Sequence, residues 1–219
     1  MKIKNIFFLA LVIAFSNSCK KKKETIKPKP VIVAEIKEDI IEISTTYGTM
    51  YVWLYKATPL HRTNYLKLAN EGYYDNSTFH RNIANFVIQG GDPNSKDDDS
   101  INDGTGGPGY TVPEEIRDTI KHDRGALAAA RMPDNVNPNK ESSGSQFYIC
   151  VSKSGTTFLN KNYTVFGMVM KGLEVIDLIV KQPQNSVNNR PFSDIKMQVK
   201  VLKKTLTEIK TEYGYTPRQ

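Results

Sequence analysis

The stretch Phe79-His80-Arg81-Asn82-Ile83-Ala84-Asn85-Phe86-Val87-Ile88-Gln89-Gly90-Gly91-Asp92 constrains this chain more than any other. It places a cation, an aromatic, an aliphatic and an amide side chain within one short run. Period-two alternation from Phe86 to Gln89 would send Phe86 and Ile88 to one face of a strand and Val87 and Gln89 to the other. Gly90 and Gly91 then stop the run. The rest of the chain reads as built to present this stretch.

The chain has 219 residues, 39% of them hydrophobic, with 11 Tyr and 9 Phe, which is enough to bury the core of one domain plus appendages. The net charge of +7 invites a nucleic-acid reading. Its distribution argues otherwise. Nine of the 30 Lys+Arg and three of the 23 Asp+Glu lie in residues 1–38, leaving 21 against 20 in the remainder. The excess is therefore in the leader and in Lys20 to Lys37, where a basic segment is drawn to anionic lipid. No Arg-rich face with interleaved aromatics is present.

Met1-Lys2-Ile3-Lys4 is a positive n-region, and the apolar run Ile6 to Phe15 is too short to span a bilayer but suits a secretory signal. Lys20 to Glu38, with its lysine run, Pro28 and Pro30, reads as an extended linker. Ile41 and Ile43 alternate with Glu42 and Ser44. Tyr47-Gly48 then turns into a second strand through Met50, Val52 and Leu54. Thr58-Pro59 reads as an N-cap and first helical residue, and the helix runs to Gly72 with Tyr65, Leu66, Leu68 and Ala69 buried. Gln146 to Val151 forms a further strand. Leu173, Ile176, Leu178 and Ile179 fall at helical spacing, and Ile195, Met197, Val199 and Val201 alternate as a last strand. Thr205 to Gln219 carries no core pattern and reads as a peripheral tail. Many short strands with two helices suggest an all-β closed architecture.

Several signals fail on inspection. Asp97-Asp98-Asp99 invites calcium, but with Asp99 as first ligand Ile101 and Tyr110 fall at ligand positions, so a solvated loop is expected. Gly104-Thr105-Gly106-Gly107-Pro108-Gly109 satisfies GxGxxG, yet no strand-to-helix transition surrounds it. His61, His80 and His122 are too scattered for a metal motif, and no nucleophile elbow is legible. Neither a metal nor another cofactor is expected. The two cysteines make no disulfide framework, and Cys150 within Phe147 to Val151 reads as a small buried hydrophobe.

The motifs Phe79-His80-Arg81, Gln89-Gly90-Gly91-Asp92, Gly104-Thr105-Gly106-Gly107, Gly144-Ser145-Gln146-Phe147 and Val165-Phe166-Gly167 occur in an order and at a spacing similar to the cyclophilin family of peptidyl-prolyl isomerases. The resemblance runs from about Ile41 to Val201. It implies a closed eight-stranded antiparallel barrel capped by two α-helices. It also implies isomerisation of X-Pro amides, with Arg81 as catalytic donor and Gln89 binding the substrate backbone. Phe86, Val87, Tyr148, Leu159 and Tyr163 would line the proline pocket, and Ala130, Arg131 and Gln146 would hold the residues before proline. Three positions depart from the common pattern. Val87 replaces a frequent methionine and Tyr163 a frequent histidine. Phe158 replaces a tryptophan whose indole helps family members bind cyclosporin. Arg81 alone would read as a structural ion pair at a sheet edge, and Phe86 and Tyr148 as plain core residues.

Ser16-Asn17-Ser18-Cys19 resembles a bacterial lipoprotein processing site, although Leu is usual where Ser16 stands. The expected organisation is a signal peptide over 1–18, a tether over 19–38 lipidated at Cys19, the isomerase-like domain over 39–204 and the tail over 205–219. That implies an exported, membrane-anchored protein of the bacterial cell envelope, monomeric and without a nucleic-acid partner. Its partners are Pro-containing polypeptides. The alternatives are ordinary secretion with an incidental Cys19, and a binding module that holds Pro-containing segments with little turnover.

Overall fold

A computed structural model describes residues 35–217, so the expected signal peptide, Cys19 and most of the tether lie outside the described residues. The elements in chain order are β1 (Lys37–Thr45), β2 (Gly48–Leu54), α1 (Pro59–Asn70), β3 (Arg81–Asn82), β4 (Val87–Gly90), β5 (Thr111–Val112), β6 (Ala126–Ala129), β7 (Ser142–Ser143), β8 (Phe147–Cys150), β9 (Val165–Lys171), α2 (Leu173–Val180), β10 (Met197–Thr205) and α3 (Leu206–Tyr213). The architecture is mainly β, as the sequence suggested.

The alternation of Ile41 and Ile43 with polar neighbours becomes β1, and Gly48 at φ +127° permits the turn into β2. Eight strands form one antiparallel sheet in the order β10-β1-β2-β9-β6-β8-β4-β3. Its two ends are brought together: Thr78 bridges Lys196, Phe79 N donates to Ile195 O, and Met197 N donates to Ser77 O. Such joining leaves no free edge of backbone donors and acceptors in that region. β5 and β7 form a separate two-stranded ribbon.

Inside the sheet, Ile41, Ile43, Met50, Leu54, Ile88, Leu127, Phe147 and Ile149 are fully buried, and Tyr65, Leu68, Ile176 and Ile179 of the helices pack on the same cluster. Each fully buried aliphatic side chain contributes about 1.5–3 kcal/mol. The opposite face of β4, β8 and β6 carries a second cluster of Val87, Tyr148, Cys150, Ala126 and Ala128. Alternation along these three adjacent strands thus divides one sheet between a core and an outer apolar floor.

The structure differs from the sequence expectations in several places. Thr58 makes no capping bond; the Glu115 carboxylate caps α1 instead, accepting from Leu60 N at 3.1 Å and His61 N at 2.9 Å. His61 is buried in α1 where Leu66 is only partly so. In α2, Val175 is buried and Leu178 is exposed. Residues 205–217 are more than a peripheral tail. Thr205 and Glu208 make a capping box, and α3 buries Ile209 completely against Ile40 and Trp53. The helices therefore number three among the described residues, not two.

Candidate active site

The site stands on the outer face of β4, β8 and β6. β3 and β4 form a hairpin in which Arg81 lies opposite Gln89. The turn between them is set by Asn85 at φ +56°, with Phe86 N donating to Ile83 O. This turn cancels the expected separation of Phe86 from Val87. Phe86 precedes the regular strand, so both side chains reach the same apolar cluster.

Arg81, Phe86, Val87, Gln89, Ala130, Arg131, Tyr148, Leu159 and Tyr163 line one pocket of about 200 Å³. Of the residues assigned to the site by resemblance, only Gln146 and Phe158 fall outside this lining. Gln146 sits one step further along a chain of side-chain amides. Arg81 Nη1 donates to Gln89 Oε1 at 3.3 Å, and Gln89 Nε2 donates to Gln146 Oε1 at 3.1 Å. Gln146 Nε2 then donates to Gly104 O at 3.0 Å and Gly106 O at 2.8 Å. Those glycines belong to the 104–109 loop. Their N–H groups donate to Oδ2 of fully buried Asp92, and a Cβ at position 106 would collide with that carboxylate.

Phe158 is 69% exposed and stacks on Phe86 at 5.5 Å between ring centres, so it covers the rim from outside. Arg131 lines the pocket, but its side chain is only 4% exposed and ion-pairs with Asp134 at 2.6 Å. It also donates to Asn162 O at 2.7 Å and lies over the Tyr163 ring at 4.6 Å. It holds a wall in place.

Arg81 is half-buried, and burial pulls its pKa down from a very high starting value, so the guanidinium remains charged. No carboxylate lies within ion-pair distance of it among the described residues, so the alternative of a structural ion pair at a sheet edge finds no partner. Its centre is 6.0 Å from the Phe86 ring. What remains is a fork of donors, one spent on Gln89, at the mouth of an apolar pocket.

The floor is fixed by a residue whose role the sequence did not reveal. His122 Nδ1 is 2.9 Å from Asn160 Oδ1, an acceptor, so the proton sits on Nδ1 and Nε2 accepts from the Tyr148 hydroxyl at 2.9 Å. Burial holds His122 below its ordinary pKa, in keeping with the neutral form. Cys150 is buried beneath, 3.2 Å from Thr156 Oγ1, and burial pushes its thiol up to about 11. It is a packing residue, as read from sequence.

A second cavity of about 890 Å³ adjoins the first, sharing Gln89, Ala130 and Arg131 and bounded by the 104–109 loop and by residues 132–146. Elsewhere, His61 lies between Glu115 Oε2 at 2.8 Å and Ser142 Oγ at 2.9 Å, a line that mimics a hydrolase triad. All three residues are at most 4% exposed, so no substrate reaches the hydroxyl, and their work is to join α1 to β7. Asp97 and Asp99 accept bonds from the backbone of their own loop, and no group of three or more His, Cys, Asp or Glu is placed to hold a metal among the described residues.

Residues 40–201 match the family model described as cyclophilin type peptidyl-prolyl cis-trans isomerase/CLD. The chain is 41% identical over 145 residues to peptidyl-prolyl cis-trans isomerase CYP18-1 of Arabidopsis thaliana, covering 64% of this chain and 79% of that protein. It is 38% identical over 160 residues to peptidyl-prolyl cis-trans isomerase-like 3 of Dictyostelium discoideum, covering 71% and 89%. Among solved structures, a cyclophilin type peptidyl-prolyl cis-trans isomerase of Cryptosporidium parvum, crystallised in the presence of the dipeptide Ala-Pro, is 31% identical with a TM-score of 0.64. That match covers 74% of this chain and 98% of that one.

Proposed function

The chain belongs to the cyclophilin-type family of peptidyl-prolyl cis-trans isomerases and is an enzyme of that kind; from that premise we propose that Arg81 carries its catalysis of X-Pro isomerisation in exported proteins. The barrier, about 18–20 kcal/mol, arises from resonance between the amide carbonyl and nitrogen. No covalent step is needed. Twisting the bond breaks the resonance and returns a lone pair to the proline nitrogen, which can then accept a hydrogen bond. A catalyst gains only from contacts stronger in that twisted state than in either planar form.

The observation that carries this reading is the Arg81 guanidinium, without a carboxylate partner among the described residues and oriented by Gln89, at the mouth of a 200 Å³ pocket. The proline ring occupies the pocket against Val87, Phe86, Leu159 and Tyr148. Gln89 binds the backbone of the flanking chain, and Ala130 borders the groove that holds it. A Pro-containing ligand is in keeping with the Ala-Pro dipeptide named for the Cryptosporidium relative.

Export rests on the leader and the Ser16-Asn17-Ser18-Cys19 site. On this reading Cys19 carries lipid, and the basic tether holds the domain at the membrane of a bacterial envelope. Mass spectrometry of the mature N-terminus tests it: a lipidated Cys19 supports the anchor, and an unmodified terminus beyond Cys19 removes it.

Catalysis is tested by a proline-switch peptide assay on wild type and Arg81→Ala. Losing one such donor costs about 2.7–4 kcal/mol, a hundredfold or more in rate. The variant should fold and lose turnover; equal activity would remove Arg81 from its role. A wild type that binds peptide without turnover would favour a holding module instead.

A further inference from the structure

The second cavity carries its own chemistry. Two of its lining residues bear formal charge, Arg131 and Glu141. Arg131 is neutralised by Asp134 at 2.6 Å and is almost fully buried. Glu141 Oε2 accepts from Thr111 Oγ1 at 2.8 Å, and no cation lies within ion-pair distance of the carboxylate among the described residues. The neighbouring Lys140 turns away, its Nζ on Lys161 O at 3.3 Å and Asn162 Oδ1 at 3.0 Å. Lys67 does not line the cavity and holds its Nζ 5.9 Å from the centre of the Tyr110 ring.

Glu141 is also fixed. The Asn137 side chain accepts from Glu141 N at 3.0 Å and donates to Glu141 O at 2.8 Å, so the carboxylate projects from a pinned backbone. Met132 and Val136, both more than half exposed, stand on the same wall. An apolar stem ending in a cation fits this arrangement: the methylenes cover Met132 and Val136 while the head reaches Glu141.

The two cavities share Gln89, Ala130 and Arg131; with Ala130 and Arg131 holding the residues before proline, as the isomerase reading has it, a proline in the smaller cavity places the preceding residue at that common rim. The next side chain upstream falls toward the larger cavity, about one extended residue, roughly 3.3 Å, further on. We propose that Glu141 makes this enzyme selective for polypeptides with Lys or Arg two residues before the proline. The inference rests on the isomerase reading of the smaller pocket.

The test compares peptides of the form Lys-Ala-Pro, norleucine-Ala-Pro and Glu-Ala-Pro in flanking sequence held constant, measured as kcat/KM on the full chain. Wild type should prefer Lys over norleucine by about threefold to tenfold and disfavour Glu, with the preference shrinking as salt is raised. Glu141→Gln keeps an acceptor for Thr111 Oγ1, so its melting temperature reports any loss of structure separately. In that variant the Lys-to-norleucine ratio should fall to about one, and in Glu141→Lys it should invert toward Glu. Equal turnover of the three peptides by wild type, or a ratio unchanged in Glu141→Gln, overturns the selectivity while leaving the isomerase intact. Turnover of none of them overturns the isomerase reading itself.

Discussion

Replacing Arg131 with alanine should damage the enzyme far more than replacing its ion-pair partner Asp134. Arg131 is 4% exposed while Asp134 is 64% exposed, so the salt bridge between them is a surface-type pair from the acid's side and contributes at most about 1 kcal/mol. The other contacts of Arg131 are better shielded. It donates to Asn162 O at 2.7 Å and lies 4.6 Å from the centre of the Tyr163 ring. A charge-assisted hydrogen bond contributes about 1.5–3 kcal/mol and a cation–π contact about 0.5–2 kcal/mol. Contacts made by one side chain do not add fully, so a loss of about 3 kcal/mol is expected for Arg131→Ala and less than 1 kcal/mol for Asp134→Ala. Urea unfolding followed by Trp53 fluorescence measures both. The kinetic signature is separate: freeing Tyr163 loosens one wall of the 200 Å³ pocket, so on the proposed assignment KM should rise several-fold in Arg131→Ala with a smaller change in kcat. Arg131→Lys, which keeps charge but not the planar fork, should fall between. Equal destabilisation by the Arg131 and Asp134 variants, or an unchanged KM in Arg131→Ala, would refute this account.

Ile209→Ala should cost about 2–5 kcal/mol in the same unfolding experiment, because the side chain is fully buried against Ile40 and Trp53; a cost under 0.5 kcal/mol would show that α3 is dispensable. Burial holds His61 and His122 below their ordinary pKa, so near pH 6.5 the unfolded chain binds protons that the folded chain does not. Stability should therefore fall as pH drops from about 7 through 6.5 toward the folded-state values, by at most about 1.4 kcal/mol per unit per histidine. His61→Gln should flatten the decline, and a flat wild-type profile would contradict the neutral, buried assignment. Phe158→Trp should improve cyclosporin affinity by several-fold to roughly tenfold, one hydrogen bond of about 0.5–1.5 kcal/mol, with peptide turnover little changed. Calorimetric titration reads the difference, and no gain would place position 158 outside inhibitor contact.

Period-two alternation located β1, β2 and β10 because each buries one face, and Pro59 marked α1 because it suits a first helical turn. α3 was missed for a physical reason. It fully buries just Ile209, too little apolar pattern to register, although the Thr205 and Glu208 capping box stood in the sequence. Phe86 does not follow the alternation because Asn85 at positive φ breaks it two residues before the strand begins. The site residues were named through motif resemblance. Their working relations were not visible there, since Gln89 and Gln146 are 57 positions apart and Arg131 meets Asn162 from another loop, 31 positions on. Asn160, His122 and Tyr148 likewise meet only after folding.

The row of amides from Arg81 to the glycine loop has a parity. Carbonyls of Gly104 and Gly106 accept only, so Gln146 must turn its nitrogen toward them and its oxygen toward Gln89. Gln89 must then offer its own oxygen to Arg81. Arg81, which only donates, requires that same oxygen, so both ends of the row fix the two glutamines in one sense. A single carboxylate in this row behaves differently from a single vacancy. Gln146→Glu would still accept from Gln89 but would confront two carbonyls with an acceptor, so its damage falls on the loop, whereas Gln146→Ala would leave the Gln89 amide without its fixed partner. The 104–109 loop therefore helps to set which atom of Gln89 faces Arg81 without touching either residue.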